Sequence, residues 1–212
     1  MVQDVLVFTP ILRLEPETVR GLLALQWDGA LSVVLQRDNP ISSGDARADG
    51  YANHLHQYHR SQELFLAGRY DAMLVIESDI IPPADTLMRL AALPADVAYG
   101  AYMFRGGRVV NILNRYYEWP RQARNMGESL SFRGLWDAAC TQGVIDCSGS
   151  GLGCTLIHRR VLETTPFRAP ADGGFFDWDW TQAVYSAGHR MMADTRVQCG
   201  HVDTDGSVLW PS

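Results

Sequence analysis

The stretch YDAMLVIESDIIPPADTL, residues 70–87, decides the fold class of this 212-residue chain. It contains a short, mostly apolar run over 71–76, followed by Glu77-Ser78-Asp79 and a turn bounded by two prolines. A run of this kind is typical of a strand that is buried on both faces, as in a parallel sheet covered by helices. Polar residues that follow such a strand lie at its carboxyl end, where open α/β sheets bind their ligands.

Strand and helix patterns alternate over most of the remaining sequence, which indicates an α/β fold. We predict a mixed, mainly parallel Rossmann-like sheet that is flanked by helices. The region 114–147 is rich in arginine and aromatic residues and shows no clear period. Other strands are predicted over 5–8, 31–35, 97–104, 109–113, 152–157 and 190–197, and helices from Pro16 onward and over 46–67, 84–92 and 177–187.

The charged residues narrow the chemistry that the chain can perform. All 18 basic residues are arginine, and the 24 acidic residues give a net charge of −6. The absence of lysine excludes lysine Schiff bases, lysine-held pyridoxal phosphate and the lysine of a phosphate-binding P-loop. Any bound anion must therefore be met by arginine, backbone N–H groups, hydroxyls or a metal ion. The mild acidity also argues against binding nucleic acid through bulk charge.

The sequence contains no apolar run near the roughly 20 residues that span a bilayer. Its N-terminal residues show no basic segment of the kind that begins a signal peptide. The four cysteines form no CxxC pair. We therefore expect a cytoplasmic protein with reduced thiols and no transmembrane segment.

Two acidic motifs are candidates for catalysis. Glu77 and Asp79 suit a hard divalent cation that shares substrate phosphates, although acids are also common at exposed strand ends. Asp177 and Asp179 flank a tryptophan where a helix is predicted to begin. They are interpreted either as a helix cap with a first-turn acid or as a general base that deprotonates a hydroxyl.

Several histidines and glycines admit both structural and functional interpretations. His201, which follows Gly200, is either a structural residue or a metal ligand that completes a carboxylate site. His54, His56 and His59 lie in one predicted helix, but only the last two share a face, so a zinc site is not favoured. The run over 149–153 departs from the GxGxxG spacing, and a close backbone approach or a bulge explains it better.

The segment from Arg105 to Arg124 mixes guanidinium groups with aromatic rings. Such a segment could stack on bases or hold an acidic or sugar acceptor. The alternative is a solvated loop with buried aromatic residues.

The order of these motifs resembles the GT-A fold of nucleotide-sugar-dependent glycosyltransferases over roughly residues 4–202. The stretch 70–87 is similar to that family's strand and DxD motif, and GSGLGCTLIHRRVLE (149–163) to its glycine-rich strand. FFDWDWTQAVYSAGHRMMADTRVQCGHV (175–202) resembles its catalytic segment and metal-binding histidine. The resemblance implies one domain, with a nucleotide-sugar-binding half over about 1–104 and an acceptor-binding half over about 105–212.

The resemblance also implies roles for individual residues. Asp79 would bind Mn²⁺ or Mg²⁺ beside the donor diphosphate, Glu77 would contact the ribose or the metal, and His201 would be the third metal contact. Asp177 would be the general base, with Asp179 as second choice, because Phe176 replaces the expected glutamate. The remaining donor-binding positions implied by the family are Thr9, Pro10, Asp38, Arg60, Ser78 and Gly151.

The implied reaction moves a sugar from a nucleoside-diphosphate sugar to an acceptor hydroxyl, with inversion. The acceptor stays open among a saccharide, a small molecule and a modified nucleic-acid base. A nucleotidyltransferase is an alternative, although such enzymes typically hold a triphosphate with a glycine-rich first loop and a basic residue, and the first loop here, over residues 9–13, lacks glycine and lysine. A non-catalytic carbohydrate- or nucleic-acid-binding module is a second alternative, with the segment from Arg105 to Arg124 as its binding face.

Overall fold

A computed structural model describes residues 2–106, 110–113, 133–170 and 176–211. The strands that these residues form are β1 (Asp4–Pro10), β2 (Ala30–Gln36), β3 (Ala72–Ile76), β4 (Ile80–Ile81), β5 (Val97–Ala101), β6 (Ile112–Leu113), β7 (Val144–Asp146), β8 (Gly149–Ser150), β9 (Cys154–His158), β10 (Met191–Gln198), β11 (Gly200–Val202) and β12 (Val208–Leu209). In the described residues, the central sheet has seven strands in the order β2-β1-β3-β9-β5-β10-β7.

Most strands of the central sheet run in one direction. β1 is parallel to both β2 and β3, and β10 is parallel to β5. β9 is antiparallel to its neighbours β3 and β5, and β7 is antiparallel to β10. The prediction of a mixed, mainly parallel sheet flanked by helices is therefore confirmed. Because β1, β2, β3 and β5 share one direction, the loops that follow them meet at one edge.

Helices connect and cover the strands. The helix α2 matches its predicted bounds, because the Asp45 side chain accepts hydrogen bonds from the N–H groups of Arg47 and Ala48 at its start. Gly68 ends it and donates its N–H to the Leu64 carbonyl. The helices are α1 (Pro16–Leu23), α2 (Ala46–Ala67), α3 (Thr86–Ala91), α4 (Arg133–Gln142), α5 (Arg159–Thr164) and α6 (Phe176–Ser186).

β3 is buried along its whole length because both faces of the sheet are covered. Met73 and Val75 pack into one hydrophobic cluster, which α2 and α6 help to form. Leu74 and Ile76 point to the opposite cluster, which includes residues of α3. This two-sided burial explains why β3 reads as a continuous apolar run rather than as an alternating one.

The structure adds elements that the sequence did not predict. The region 114–147, predicted to be irregular, contains α4 and β7. After residue 197, where no strand is predicted, β11 pairs with both β12 and β4 in a small separate sheet. Strands of two or three residues are too short to show a period, so pattern analysis does not detect them. Residues 107–109 and most of the arginine-aromatic segment fall outside the described residues.

Among the described helices, none combines the length and the apolarity that crossing a bilayer requires.

Candidate functional site

A cavity of about 200 Å³ lies at the carboxyl ends of β1 and β3, against the first half of α2. The loops after parallel strands form this edge, so the fold places the polar residues that follow them around one space. The lining residues are Pro10, Leu12, Arg13, Glu15, Asn39, Gly50, His54, Gln57, Glu77, Ser78, Asp79 and Arg105.

Asp79 and His201 meet on one side of this cavity. Antiparallel pairing of β4 with β11 sets Ile80 opposite His201, and the Val202 N–H donates to the Asp79 carbonyl at 2.8 Å. The Nδ1 atom of His201 lies 2.6 Å from the Met103 carbonyl oxygen. Since a carbonyl only accepts, Nδ1 carries a proton. The other nitrogen, Nε2, then faces Asp79 Oδ2 at 3.3 Å.

Arg105 reaches the same carboxylate from the loop after β5. Its guanidinium forms an ion pair with Asp79 Oδ2. The turn that carries it continues through Gly106, which has a φ of +84°, a value that favours glycine. The Gly106 N–H donates to the Asp203 carboxylate at 3.0 Å. The C-terminal segment therefore holds this loop at Asp203 and, through His201, at Met103.

The charges around Asp79 fix its ionisation. Burial favours its neutral form, but the interactions with His201 and Arg105 outweigh burial and lower the pKa of Asp79. Burial likewise opposes the charged form of His201, while Asp79 and the Met103 carbonyl raise its pKa. Asp79 is thus a carboxylate at neutral pH, with His201 as its buried partner.

Asp79 and His201 are the two residues that could hold a divalent cation to which the protein supplies few ligands. When it is neutral, a histidine whose Nδ1–H is bound to a carbonyl presents an Nε2 lone pair, as metal-ligating histidines do. Within the described ranges no three His, Cys, Asp or Glu side chains converge on one point. Mg²⁺ and Mn²⁺ are commonly held by one or two protein ligands together with substrate phosphates, so these two residues suit such an ion.

The Glu77 carboxylate is turned toward α2. Tyr58, which is fully buried, donates its hydroxyl hydrogen to Glu77 Oε1 at 3.2 Å, and His54 Nε2 lies 3.3 Å from the same oxygen. Burial disfavours the charged form of His54, but Glu77, Asp177 and Asp79 raise its pKa. Glu77 therefore interacts with α2 residues, whereas Asp79 interacts with β11.

Asp177 lies in the first turn of α6, close enough to Glu77 for their charges to repel. It is half-buried, and its Oδ1 accepts the Trp178 N–H at 2.9 Å. Burial, together with the Glu77 charge, raises the pKa of Asp177 to about 7, although His54 acts in the opposite direction. Asp179, two residues later, is exposed. The two aspartates of this motif therefore occupy different environments.

Other residues implied by the resemblance are placed in several ways. Pro10 and Ser78 line the cavity, whereas Thr9 is buried within β1. Asp38 is exposed and contacts His56 Nε2 at 3.0 Å, outside the lining. Arg60 is also exposed, pairs with Glu63 one turn further along α2, and does not reach the cavity.

Gly151 is explained by close packing against aromatic side chains rather than against the cavity. A Cβ at this position would lie 2.5 Å from the Tyr102 hydroxyl and 3.3 Å from the Phe104 ring. Gly153, nearby, donates its N–H to the same hydroxyl at 3.2 Å. Tyr102 in turn meets the His201 ring edge-on, with ring centroids 5.7 Å apart. Gly151 and Gly153 therefore leave space for Tyr102, whose ring contacts that of His201.

The structure adds four residues to the predicted site. They are His54, Gln57 and Tyr58 of α2 and Asn39 of the β2–α2 loop. Gln57 pairs with the backbone of Ile11, accepting its N–H at 2.8 Å and donating to its carbonyl at 3.2 Å, and it also donates to Asn39 at 2.6 Å. Spacing shows that His54 and Tyr58, four residues apart, share a helix face, but it does not show that this face meets Glu77. The three histidines of α2 diverge, since His59 contacts the Phe167 carbonyl.

Comparison with solved structures places the fold among known ones. A197 from STIV superposes with a TM-score of 0.59 at 16% identity, covering 99% of this chain and 95% of that one. S. aureus TarS 1–349 in complex with UDP gives a TM-score of 0.49 at 13% identity, covering 90% of this chain and 57% of that one. No family model and no curated protein matches the sequence. At these identities, the likeness to A197 from STIV shows a shared fold.

Proposed function

We propose that this protein is a metal-dependent glycosyltransferase of the GT-A fold. It would transfer a sugar from a nucleoside-diphosphate sugar to an acceptor hydroxyl, with inversion at the anomeric carbon. The sequence resemblance motivates this assignment. One observation carries it: Asp79 and Asp177, whose pKa values shift in opposite directions, both act electrostatically on His54, the cavity residue that contacts Glu77.

Opposite pKa shifts assign different roles to two carboxyl groups in one site. Asp79 remains ionised and paired with cations, which suits the side that receives a diphosphate and its counter-ion. Asp177 has a pKa of about 7, which is favourable for a general base at neutral pH. Pairs of carboxyl groups also occur as purely structural features, but an ionised Asp79 in the cavity lining and a base-like Asp177 close to Glu77 of the same lining favour catalysis.

In the proposed reaction Asp177 accepts the proton of the acceptor hydroxyl as its oxygen attacks the anomeric carbon. The nucleoside diphosphate leaves on the Asp79 side with the electrons of the broken bond. Asp79 and His201 would hold Mn²⁺ or Mg²⁺, and the bound ion would stabilise negative charge on the leaving group as a Lewis acid. Glu77, which accepts the Tyr58 hydroxyl hydrogen and contacts His54, contributes the negative charge that raises the pKa of Asp177.

The decisive experiment is a release assay with a panel of nucleotide-sugars, Mn²⁺ and the full-length chain. We expect release of nucleoside diphosphate, even at a slow hydrolytic rate without acceptor. Release of pyrophosphate from nucleoside triphosphates and sugar phosphates would instead support a nucleotidyltransferase. Binding without any turnover, across the panel, would support a non-catalytic module.

Two aspartate variants separate donor binding from chemistry. Asp79→Asn should lose Mn²⁺-dependent donor binding, because it removes the charged ligand. Asp177→Asn should keep donor binding and lose transfer by roughly 10²–10⁴-fold, the usual contribution of a general base. Full donor binding by Asp79→Asn would overturn the metal assignment.

A further inference from the structure

Arg105 is one of two arginines in the cavity lining, the other being Arg13. Arg13 pairs with its near neighbour Glu15, on the rim. Arg105 instead pairs with Asp79, the carboxylate best placed to bind a metal ion. The cation position of the site is therefore filled by a residue of the protein itself.

The loop holds Arg105 in place by contacts on both of its sides. Two residues before it, the Met103 carbonyl accepts the His201 Nδ1–H; one residue after it, the Gly106 N–H is bound by Asp203. Its side chain is half exposed, at 54%, whereas that of Asp79 is 15% exposed. A long side chain on an anchored turn, with a partly exposed head, can exchange partners without moving the backbone.

A divalent cation and Arg105 cannot both neutralise Asp79 at close range. Arg105 donates to the carboxylate oxygen that faces His201 Nε2, so it competes for the same ligand atom. Two positive groups a few ångströms apart also repel each other in a partly buried site. A diphosphate removes this conflict, because it brings two or more negative charges and because guanidinium binds phosphate in a bidentate manner.

We propose that Arg105 is the resident counter-ion of Asp79 in the donor-free protein and passes to the donor diphosphate when a divalent cation binds Asp79. This proposal rests on the proposed function and adds a binding order to it. The metal ion and the diphosphate bind together, because the metal ion displaces Arg105 from Asp79 and the diphosphate then binds Arg105. Free metal binds weakly, and the diphosphate meets both the metal and Arg105. Because the chain contains no lysine, Arg105 provides the positive charge in both states. It neutralises Asp79 before the metal ion binds and the diphosphate afterwards.

Arg105→Gln tests the proposal through two binding constants that should change in opposite directions. Without any donor, Mn²⁺ should bind about fivefold more tightly, the factor expected for removing one partly exposed competing ion pair. With saturating Mn²⁺, inorganic pyrophosphate should bind more weakly by a similar factor, since one charge-assisted contact is lost. Calorimetry measures both constants on the full chain. Arg105→Lys, which keeps the charge but lacks the fork, should leave Mn²⁺ affinity near that of the wild type.

Arg160→Gln is the matched control. Arg160 also pairs with a carboxylate, that of Asp96; its side chain is 65% exposed and that of Asp96 is 14% exposed, but this pair lies before β5, at the opposite edge of the sheet. It should change neither constant. If Mn²⁺ affinity does not depend on Asp79, as tested with Asp79→Asn, the metal site of the proposed function fails and the exchange fails with it. If Mn²⁺ binding does require Asp79 but Arg105→Gln does not tighten it, only the exchange by Arg105 is overturned.

Discussion

At the scale of single residues, Asp177 shows how burial prepares a base. The half-buried start of α6 disfavours the charged carboxylate, and Glu77 adds repulsion, so the proton is held up to about pH 7. His54, whose ring contacts those of Tyr58 and Phe176 edge-on, opposes this effect. The result is a carboxylate whose basicity matches neutral conditions, whereas an ordinary aspartate would be a weak base.

The first prediction concerns the pH dependence of activity. Because only ionised Asp177 accepts a proton, kcat/KM should rise with pH through about 7 and then level off. Asp177→Asn should abolish this rise together with the activity, whereas the exposed Asp179→Asn should keep it. An inactive Asp179→Asn beside an active Asp177→Asn would move the base to Asp179.

The second prediction concerns stability. The pKa of Asp177 is about 7 in the folded protein and near the ordinary value of 3.8 in the unfolded chain. Its protonation therefore favours folding: the contribution is complete below about pH 4 and is lost as pH rises through about 7. Asp177→Asn, which stays neutral, should raise the free energy of unfolding at pH 8 by at most about 4 kcal/mol, the equivalent of that pKa difference.

Urea unfolding of both proteins at pH 5 and pH 8 measures this effect. The difference between Asp177→Asn and the wild type should be larger at pH 8. A variant that is less stable than the wild type at pH 8 would show that the carboxylate is stabilised in the fold, contrary to this account.

Sequence alone could locate Asp79, because its carboxylate follows a buried strand whose apolar run is unmistakable. It could not locate Tyr58 or Arg105 as partners in the site. Tyr58 reaches Glu77 only because α2 packs across β1, and Arg105 reaches Asp79 only because β5 lies two strands away in the sheet. Such contacts depend on strand order, which no local period encodes.

At the scale of elements, the glycine-rich turn before β9 packs closely against aromatic side chains beside the site. Gly151 leaves no space for a side chain, because Tyr102 and Phe104 occupy it. Tyr102 is almost fully buried, so it cannot simply turn away. A rigid neighbour makes small-to-large substitution costly.

The third prediction follows from this packing. Gly151→Ala should lower the free energy of unfolding by about 1–3 kcal/mol, through overpacking against the Tyr102 hydroxyl. Tyr102→Phe removes that hydroxyl and costs about 1 kcal/mol alone, because the Gly153 N–H loses its acceptor. The double variant should be more stable than the sum of both losses implies, and a double-mutant cycle measures this coupling.

Gly50→Ala is the control for the glycine prediction. Gly50 lies in α2, and an added Cβ there would meet no atom within 4 Å. The substitution should be neutral or stabilising by up to about 1 kcal/mol, as alanine favours helix. If both glycine variants lost the same stability, a backbone effect rather than the Tyr102 contact would be responsible.

The short strands β4 and β11 show why part of the site escaped prediction. Each has two or three residues, yet their pairing joins Asp79 to His201. The sequence resemblance implies this meeting of residues more than 120 positions apart, but the apolar pattern predicts no strand over 80–81 or 200–202. Pairing between distant short segments is stabilised by tertiary packing rather than by propensity.

At the scale of the whole molecule, the order of strands leaves β2 at one edge of the central sheet. Its sequence, ALSVVLQ, contains no charged residue, and Leu31, Val33 and Leu35 are 36%, 52% and 47% exposed. Edge strands with unpaired backbone groups and apolar side chains promote edge-to-edge association, which proteins commonly suppress with a charged residue. The fold thus places the loops of the candidate site at the carboxyl ends of the strands. It leaves β2, at one side of the sheet, open to edge-to-edge association.

The fourth prediction is that Val33→Lys reduces concentration-dependent aggregation while changing the free energy of unfolding by less than about 0.5 kcal/mol, as is usual at exposed positions. The control is Met88→Lys, at a residue of α3 with 37% exposure. Either substitution changes the net charge from −6 to −5 and so weakens general repulsion between molecules. If general charge controlled association, both variants would aggregate more readily than the wild type. If the β2 edge controls it, light scattering should fall for Val33→Lys alone, because the lysine obstructs strand pairing at that edge.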